Sequence, residues 1–149
     1  MFNLSQKAKD FLAKNKNKKI VFTNGCFDIL HLGHLEYLNE AKKLGDILII
    51  GLNSDKSIRA IKGNGRPIND EHFRKEILIN LKCVDLVELF DEQTPYELIK
   101  AISPDILVKG GDYSLEKVVG ADLVKEVVLV PFKEGHSTTE FIQKLQGRT

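Results

Sequence analysis

The stretch from Ile20 to Leu44, IVFTNGCFDILHLGHLEYLNEAKKL, leaves this chain few choices of fold. Ile20, Val21 and Phe22 form a short β-branched and aromatic run, and after Asp28 the apolar residues Leu35, Leu38 and Ala41 recur at helical spacing. That order predicts a strand, a tight loop and a helix. Gly25 lets backbone approach a ligand closely, and the first N–H groups of the helix, at its positive dipole end, offer a site for phosphate. His31 and His34 stand at that helix start, three apart and so on one face, where both imidazoles reach one anion. On spacing alone, surface histidines at a helix cap are the alternative.

The alternation continues downstream. Gly45 is placed to end the helix in a left-handed conformation, and Ile47 to Leu52 is an apolar run without polar alternation, as in a parallel strand covered on both faces. Asn53, Ser54 and Asp55 start a short helix, and Lys62-Gly63-Asn64-Gly65-Arg66-Pro67 is too rich in glycine to pack. It puts Lys62 and Arg66 on a mobile, solvent-facing loop, either as ordinary surface cations or as cations that close over a triphosphate. Asn69 or Asp70 opens the next helix, with Phe73, Ile77 and Leu81 facing the sheet; Arg74 near its start opposes the helix dipole and suggests an anion partner.

Leu86 to Phe90 makes a third strand, and Thr94-Pro95-Tyr96-Glu97 reads as a capping box with proline at the first helical position. Pro104 ends that helix, and Ile106 to Val108 runs as a fourth strand into Lys109-Gly110-Gly111-Asp112-Tyr113. Two glycines at the carboxyl end of a parallel strand point to close ligand approach, although Asp112 and Tyr113 also suit a turn. Val127 to Val130 is a fifth strand. Ser137 with Glu140 reads as a capping box for a last helix; Thr138, Thr139 and nearby Lys133 add hydroxyls and a cation at a second helix N-terminus.

Five alternations call for an α/β fold, a Rossmann-like, doubly wound, five-stranded parallel sheet in a single domain. We expect that domain over residues 20–149, with residues 1–19 as a helix capped by Ser5 and a basic linker carrying Lys14, Lys16, Lys18 and Lys19. The loop after strand one and the glycines after strand four meet if strand order reverses between them. No GxGxxG follows any strand, which excludes the dinucleotide reading. Lys and Arg number 22 against 21 for Asp and Glu, so the net charge of +1 asks for neither nucleic acid nor an anionic membrane. No apolar segment approaches the roughly 18 residues that span a bilayer. Cys26 and Cys83 lack CxxC spacing, giving no zinc site and suiting the cytoplasm.

The HxGH spacing after Gly-x-Phe-Asp resembles the signature of the nucleotidyltransferases that share an ancestor with class I aminoacyl-tRNA synthetases. From Val21 to Leu145 the chain is similar to the cytidylyltransferase-like enzymes. TNGCFDILHLGH, GLNSD, KGNGRPIN, VKGGDY and GHSTTEFI carry the likeness. KGNGRP with VKGGDY favours the heptose 1-phosphate adenylyltransferases over the glycerol 3-phosphate cytidylyltransferases. The resemblance implies transfer of AMP from ATP to a sugar 1-phosphate with release of pyrophosphate, and a cytoplasmic enzyme that is commonly a homodimer. A nucleotide-binding domain without catalysis is the distant alternative.

By the same resemblance His31 and His34 hold the triphosphate, with Lys62 and Lys133 as further phosphate donors. Thr23, Asn24, Gly25 and Phe27 line the nucleotide pocket, which Arg74, Gly110, Asp112, Ser137, Thr138 and Thr139 complete. Asp28 faces the sugar phosphate or a metal, and Arg66 the acceptor. A phosphate monoester, with a second pKa of about 6, is already ionised at neutral pH and needs no general base. Mg²⁺ is expected with ATP, held through phosphate oxygens and water and not by a dedicated protein site.

Overall fold

A computed structural model of the chain describes residues 1–111, 117–131 and 138–147, of which 138–141 by backbone alone. The apolar runs become strands β1 (Ile20–Gly25), β2 (Ile47–Asn53), β3 (Leu86–Phe90), β4 (Ile106–Gly110) and β5 (Glu126–Val130). Helices α1 (Gln6–Lys14), α2 (Leu32–Lys42), α3 (Asp55–Lys62), α4 (Glu71–Ile79), α5 (Tyr96–Ile102) and α6 (Thr138–Leu145) surround them. All strand pairs are parallel in the order β3-β2-β1-β4-β5, so the order reverses between β1 and β4, as expected of a Rossmann-like sheet.

Side-chain alternation divides the core between the two faces of the sheet. Val21, Leu48, Ile50, Val108 and Val87 point to one face and pack under Tyr37, Leu38 and Ala41 of α2 and Leu78 of α4. Phe22, Ile49, Leu86 and Leu107 point to the other, under Ala8 of α1 and Leu98, Ile99 and Ile102 of α5. Ser5 caps α1 by accepting the Ala8 N–H at 3.1 Å, and its own N–H and hydroxyl donate to the buried Glu88 carboxylate at 2.6 and 2.8 Å. Partly buried Phe2, Leu4, Phe11 and Leu12 complete that seat, so α1 is fastened to the edge strand β3.

The β1–β2 ladder runs the length of β1, from Ile20 opposite Ile47 to Gly25 opposite Leu52. Among the described residues the β1–β4 ladder holds Val21 opposite Ile106 and Phe22 opposite Leu107, and there it stops. Beyond Phe22 side chains bridge the two strands. Thr23 and the Tyr37 hydroxyl share a 2.6 Å hydrogen bond, and that hydroxyl donates to the Val108 carbonyl at 3.1 Å. The switch point is therefore a physical split at the carboxyl edge of the sheet.

Several local expectations are corrected. Leu35 is 36% exposed, because the inward face of α2 is made by Tyr37, Leu38 and Ala41. Phe73 and Ile77 are 51% and 38% exposed; the inward face of α4 lies one residue later, on Arg74 and Leu78. Gly45 does not adopt a positive φ. It passes so close to Lys19 that a Cβ there would lie 2.9 Å from the Lys19 carbonyl oxygen and 2.8 Å from Val21 Cγ2. The full box at Thr94 does not form among the described contacts: α5 begins after Pro95, and the Thr94 hydroxyl accepts only the Tyr96 N–H, at 3.5 Å. At α3 and α4 the expected caps are present, with Ser54 accepting from Ser57 and Asp70 from Phe73.

Candidate active site

A cleft of about 410 Å³ opens over the split between β1 and β4. Of the residues expected there, Asn24, Gly25, Phe27, Asp28, His34, Lys62, Arg66 and Gly110 line it. The turn from β1 into α2 places them. Phe27 adopts φ +46°, a left-handed conformation that costs a non-glycine residue about 1–2 kcal/mol, and its ring packs into the core beneath α2. A Cβ on Gly25 would lie 2.9 Å from that ring, so Gly25 is bare to admit Phe27. The ring meets His34 edge-on at 5.4 Å.

The two histidines cap their own helix. His31 is the N-cap of α2 and its Nδ1 accepts the Gly33 N–H at 3.1 Å; the His31 N–H donates to His34 Nδ1 at 3.3 Å. The rings stack with centroids 3.9 Å apart. Two of the N–H groups expected to meet a phosphate are thus spent on imidazoles. In exchange, with each Nδ1 accepting, the hydrogen of the neutral ring sits on Nε2. Burial, with His31 beside it, lowers the His34 pKa to about 4, so His34 is a neutral donor at pH 7.

Lys62 ends α3, exposed and facing the cleft. Arg66 is no free loop cation: its Nε donates to Asp28 at 2.9 Å, and its side chain is 16% exposed. Asp28 also accepts the N–H groups of Ile68 and Asn69 at 2.8 Å each. Burial pushes the Asp28 carboxyl up, but the two backbone donors and Arg66 outweigh it and hold it below its ordinary value. With its oxygens so occupied, Asp28 pins the segment behind Lys62 at the wall of the cleft.

Arg74 does not line the cleft. It is 1% exposed and donates to the carbonyls of Asn69, Cys26 and Asn53 at 2.9, 2.9 and 2.7 Å and to Asp55 at 2.8 Å. It ties together the ends of β1 and β2 and the starts of α3 and α4. Thr23 likewise lies beneath the cleft, buried against Tyr37. Asp112, Lys133 and Ser137 fall outside the described residues; Thr138 and Thr139 begin α6, described by backbone.

Lys109 is the residue that sequence reasoning passed over. It lines the cleft at the end of β4 and donates to Asn24 Oδ1 across the split. Burial lowers its pKa to about 8. Its signal was in the sequence, a lysine at a strand's carboxyl end, masked by the two glycines that follow it. Cys26 also borders the cleft, and burial raises its thiol above the ordinary value despite the nearby cations, which makes it a packing group. No three of His, Cys, Asp and Glu converge as metal ligands among the described residues. No helix among them is long and apolar enough to cross a membrane.

Residues 22–144 match the cytidylyltransferase-like family. The chain is 60% identical over 134 residues to the bifunctional protein HldE of Wolinella succinogenes, covering 90% of this chain and 28% of that protein. For HldE of Helicobacter hepaticus the values are 59% over 144 residues, 96% and 30%. The chain thus spans less than a third of the length of these curated relatives. Among solved structures, the lipopolysaccharide core biosynthesis protein from Thermoplasma volcanium superposes with a TM-score of 0.67 at 33% identity, covering 79% of this chain and 100% of that one. Pantoate-beta-alanine ligase from Francisella tularensis, at 19% identity and TM-score 0.61 over 85% of this chain and 66% of its own, shares the fold. With the split parallel sheet and the histidine-capped helix in place, this chain belongs to the cytidylyltransferase-like family.

Proposed function

We propose that this domain transfers AMP from ATP to D-glycero-β-D-manno-heptose 1-phosphate, giving ADP-heptose and pyrophosphate, in the cytoplasm. The observation that carries the reading is the meeting, in one cleft at the switch point, of a neutral imidazole donor with cations from separate segments. The KGNGRP and VKGGDY segments and the identity to HldE proteins support the heptose acceptor. Consumption of the product in lipopolysaccharide or another surface glycan rests on the same resemblance.

An acceptor phosphate oxygen, already ionised, attacks the α-phosphorus; the bond to the bridging oxygen breaks and pyrophosphate leaves with its electron pair. No proton moves, so the protein's work is alignment and charge neutralisation. His34, with His31, donates from Nε2 to phosphate oxygens at the start of α2, and Lys62 reaches them from α3. Asp28 and Arg74 hold those donors in place through Arg66 and the strand ends. A divalent cation belongs with the nucleotide as part of the substrate, and among the described residues no three of His, Cys, Asp and Glu converge to hold it.

The test is pyrophosphate release by purified protein, crossing ATP and CTP with heptose 1-phosphate and glycerol 3-phosphate. Release with ATP and the heptose phosphate is expected; release with CTP and glycerol 3-phosphate instead overturns the acceptor and nucleotide assignment. His34→Ala should lower turnover about a hundredfold, the usual cost of one lost transition-state donor. Unchanged turnover removes the histidines from the mechanism.

A further inference from the structure

We propose that Lys109 binds the phosphate of the acceptor, on the side of the cleft opposite the histidines; this rests on the nucleotidyl-transfer reading above. Alternation along the strands places it there. Val108 packs beneath α2 and Leu107 on the α5 face, so Lys109 follows Leu107 to the α5 face. Asn24 likewise follows Phe22, and the hydrogen bond between Lys109 and Asn24 runs along that side of the split. His34, on α2, borders the same cleft from the other face.

An in-line displacement needs the attacking and leaving oxygens on opposite sides of the α-phosphorus. With the leaving pyrophosphate held at the start of α2, the incoming phosphate belongs on the α5 face, where Lys109 is the cation that lines the cleft. Its ammonium carries three donors, and Asn24 takes one. Among the described residues no carboxylate pairs with it, although it is half-buried. A half-buried ammonium beside a neutral amide is a costly arrangement that an arriving phosphate dianion would relieve.

Two neutral variants, Lys109→Met and Lys109→Gln, test this in the pyrophosphate assay. The KM for heptose 1-phosphate should rise about tenfold to a hundredfold, the usual loss of one hydrogen bond to a charged group, while the KM for ATP stays within about twofold. Lys109→Arg, which keeps the charge, should recover most of the acceptor affinity. An unchanged acceptor KM, or a rise in the KM for ATP in its place, overturns the proposal. Calorimetric titration of heptose 1-phosphate separates it from the parent reading. If the wild-type chain binds the sugar phosphate without releasing pyrophosphate and the neutral variants bind it more weakly, transfer fails and Lys109 stands. If the wild type does not bind it, both fall.

Discussion

Burial and the neighbouring His31 ring lower His34 to about 4, so the imidazole offered to a triphosphate is uncharged at neutral pH. In the proposed mechanism it binds by its Nε2–H and lets the anionic charge fall on Lys62. In a nitrogen-resolved NMR titration the His34 ring should remain the Nε2–H tautomer from pH 8 to below 5.5; a midpoint near the ordinary 6.5 would refute this. The sign is that of a depressed base: between about 6.5 and 4 the unfolded chain takes up the proton first, so acidification through that window destabilises the fold. Lys109 works in the opposite sense. It binds as the ammonium, so kcat/KM for the acceptor should fall as pH rises through about 8, and Lys109→Arg should abolish that fall. Cys26, Asp28, His34, Tyr37, Lys62 and Arg66 share its cleft. Of these, the Cys26 thiol is raised, and Asp28 and His34 are lowered, all away from that range.

At the scale of elements, α4 shows where pattern reading succeeds and where it cannot. Asp70 as its cap was legible, because a carboxylate before an apolar run has one local use. The inward face was not. Phe73 and Ile77 are the more apolar residues, but the acceptors waiting under the helix, three carbonyls and Asp55, come from β1, β2 and the segments beside α3 and α4. No local pattern reports them. Arg74→Met should therefore destabilise the chain by about 2–4 kcal/mol in a denaturant titration, the cost of leaving three carbonyls and the partly exposed Asp55 carboxylate without their buried cation. The charge-conserving Arg74→Lys should recover only part of this, because an ammonium cannot span the fork. Strand positions fared better: continuous apolar runs marked all five strands, and the extra length of β1 and β4 was missed because Thr23, Asn24 and Lys109 are polar for reasons of the site. The Asp28–Arg66 pair was hidden for the same reason, a contact 38 residues apart within a glycine-rich stretch that reads as solvent-facing.

For the whole molecule, the cleft and both halves of the core belong to one sheet, so ligand and fold are thermodynamically linked. ATP at about a hundredfold over its Kd should add about 2.7 kcal/mol of stability. In a domain of this size that raises the Tm by roughly 5–10 °C, and Lys62→Ala should shrink the shift. The reversal of strand order between the first and fourth strands was readable as the condition for the histidine loop and the glycines after strand four to meet; the full order was not. The premature end of the β1–β4 ladder was not, because hydrogen-bond register leaves no trace in residue type. That early end has an evolutionary consequence. Thr23, Tyr37, Asn24 and Lys109 join the strands through side chains, where elsewhere in the sheet the backbone does so. Side chains are what mutation exchanges, so the seam can be rewritten for a different acceptor while every ladder that holds the sheet together is inherited unchanged.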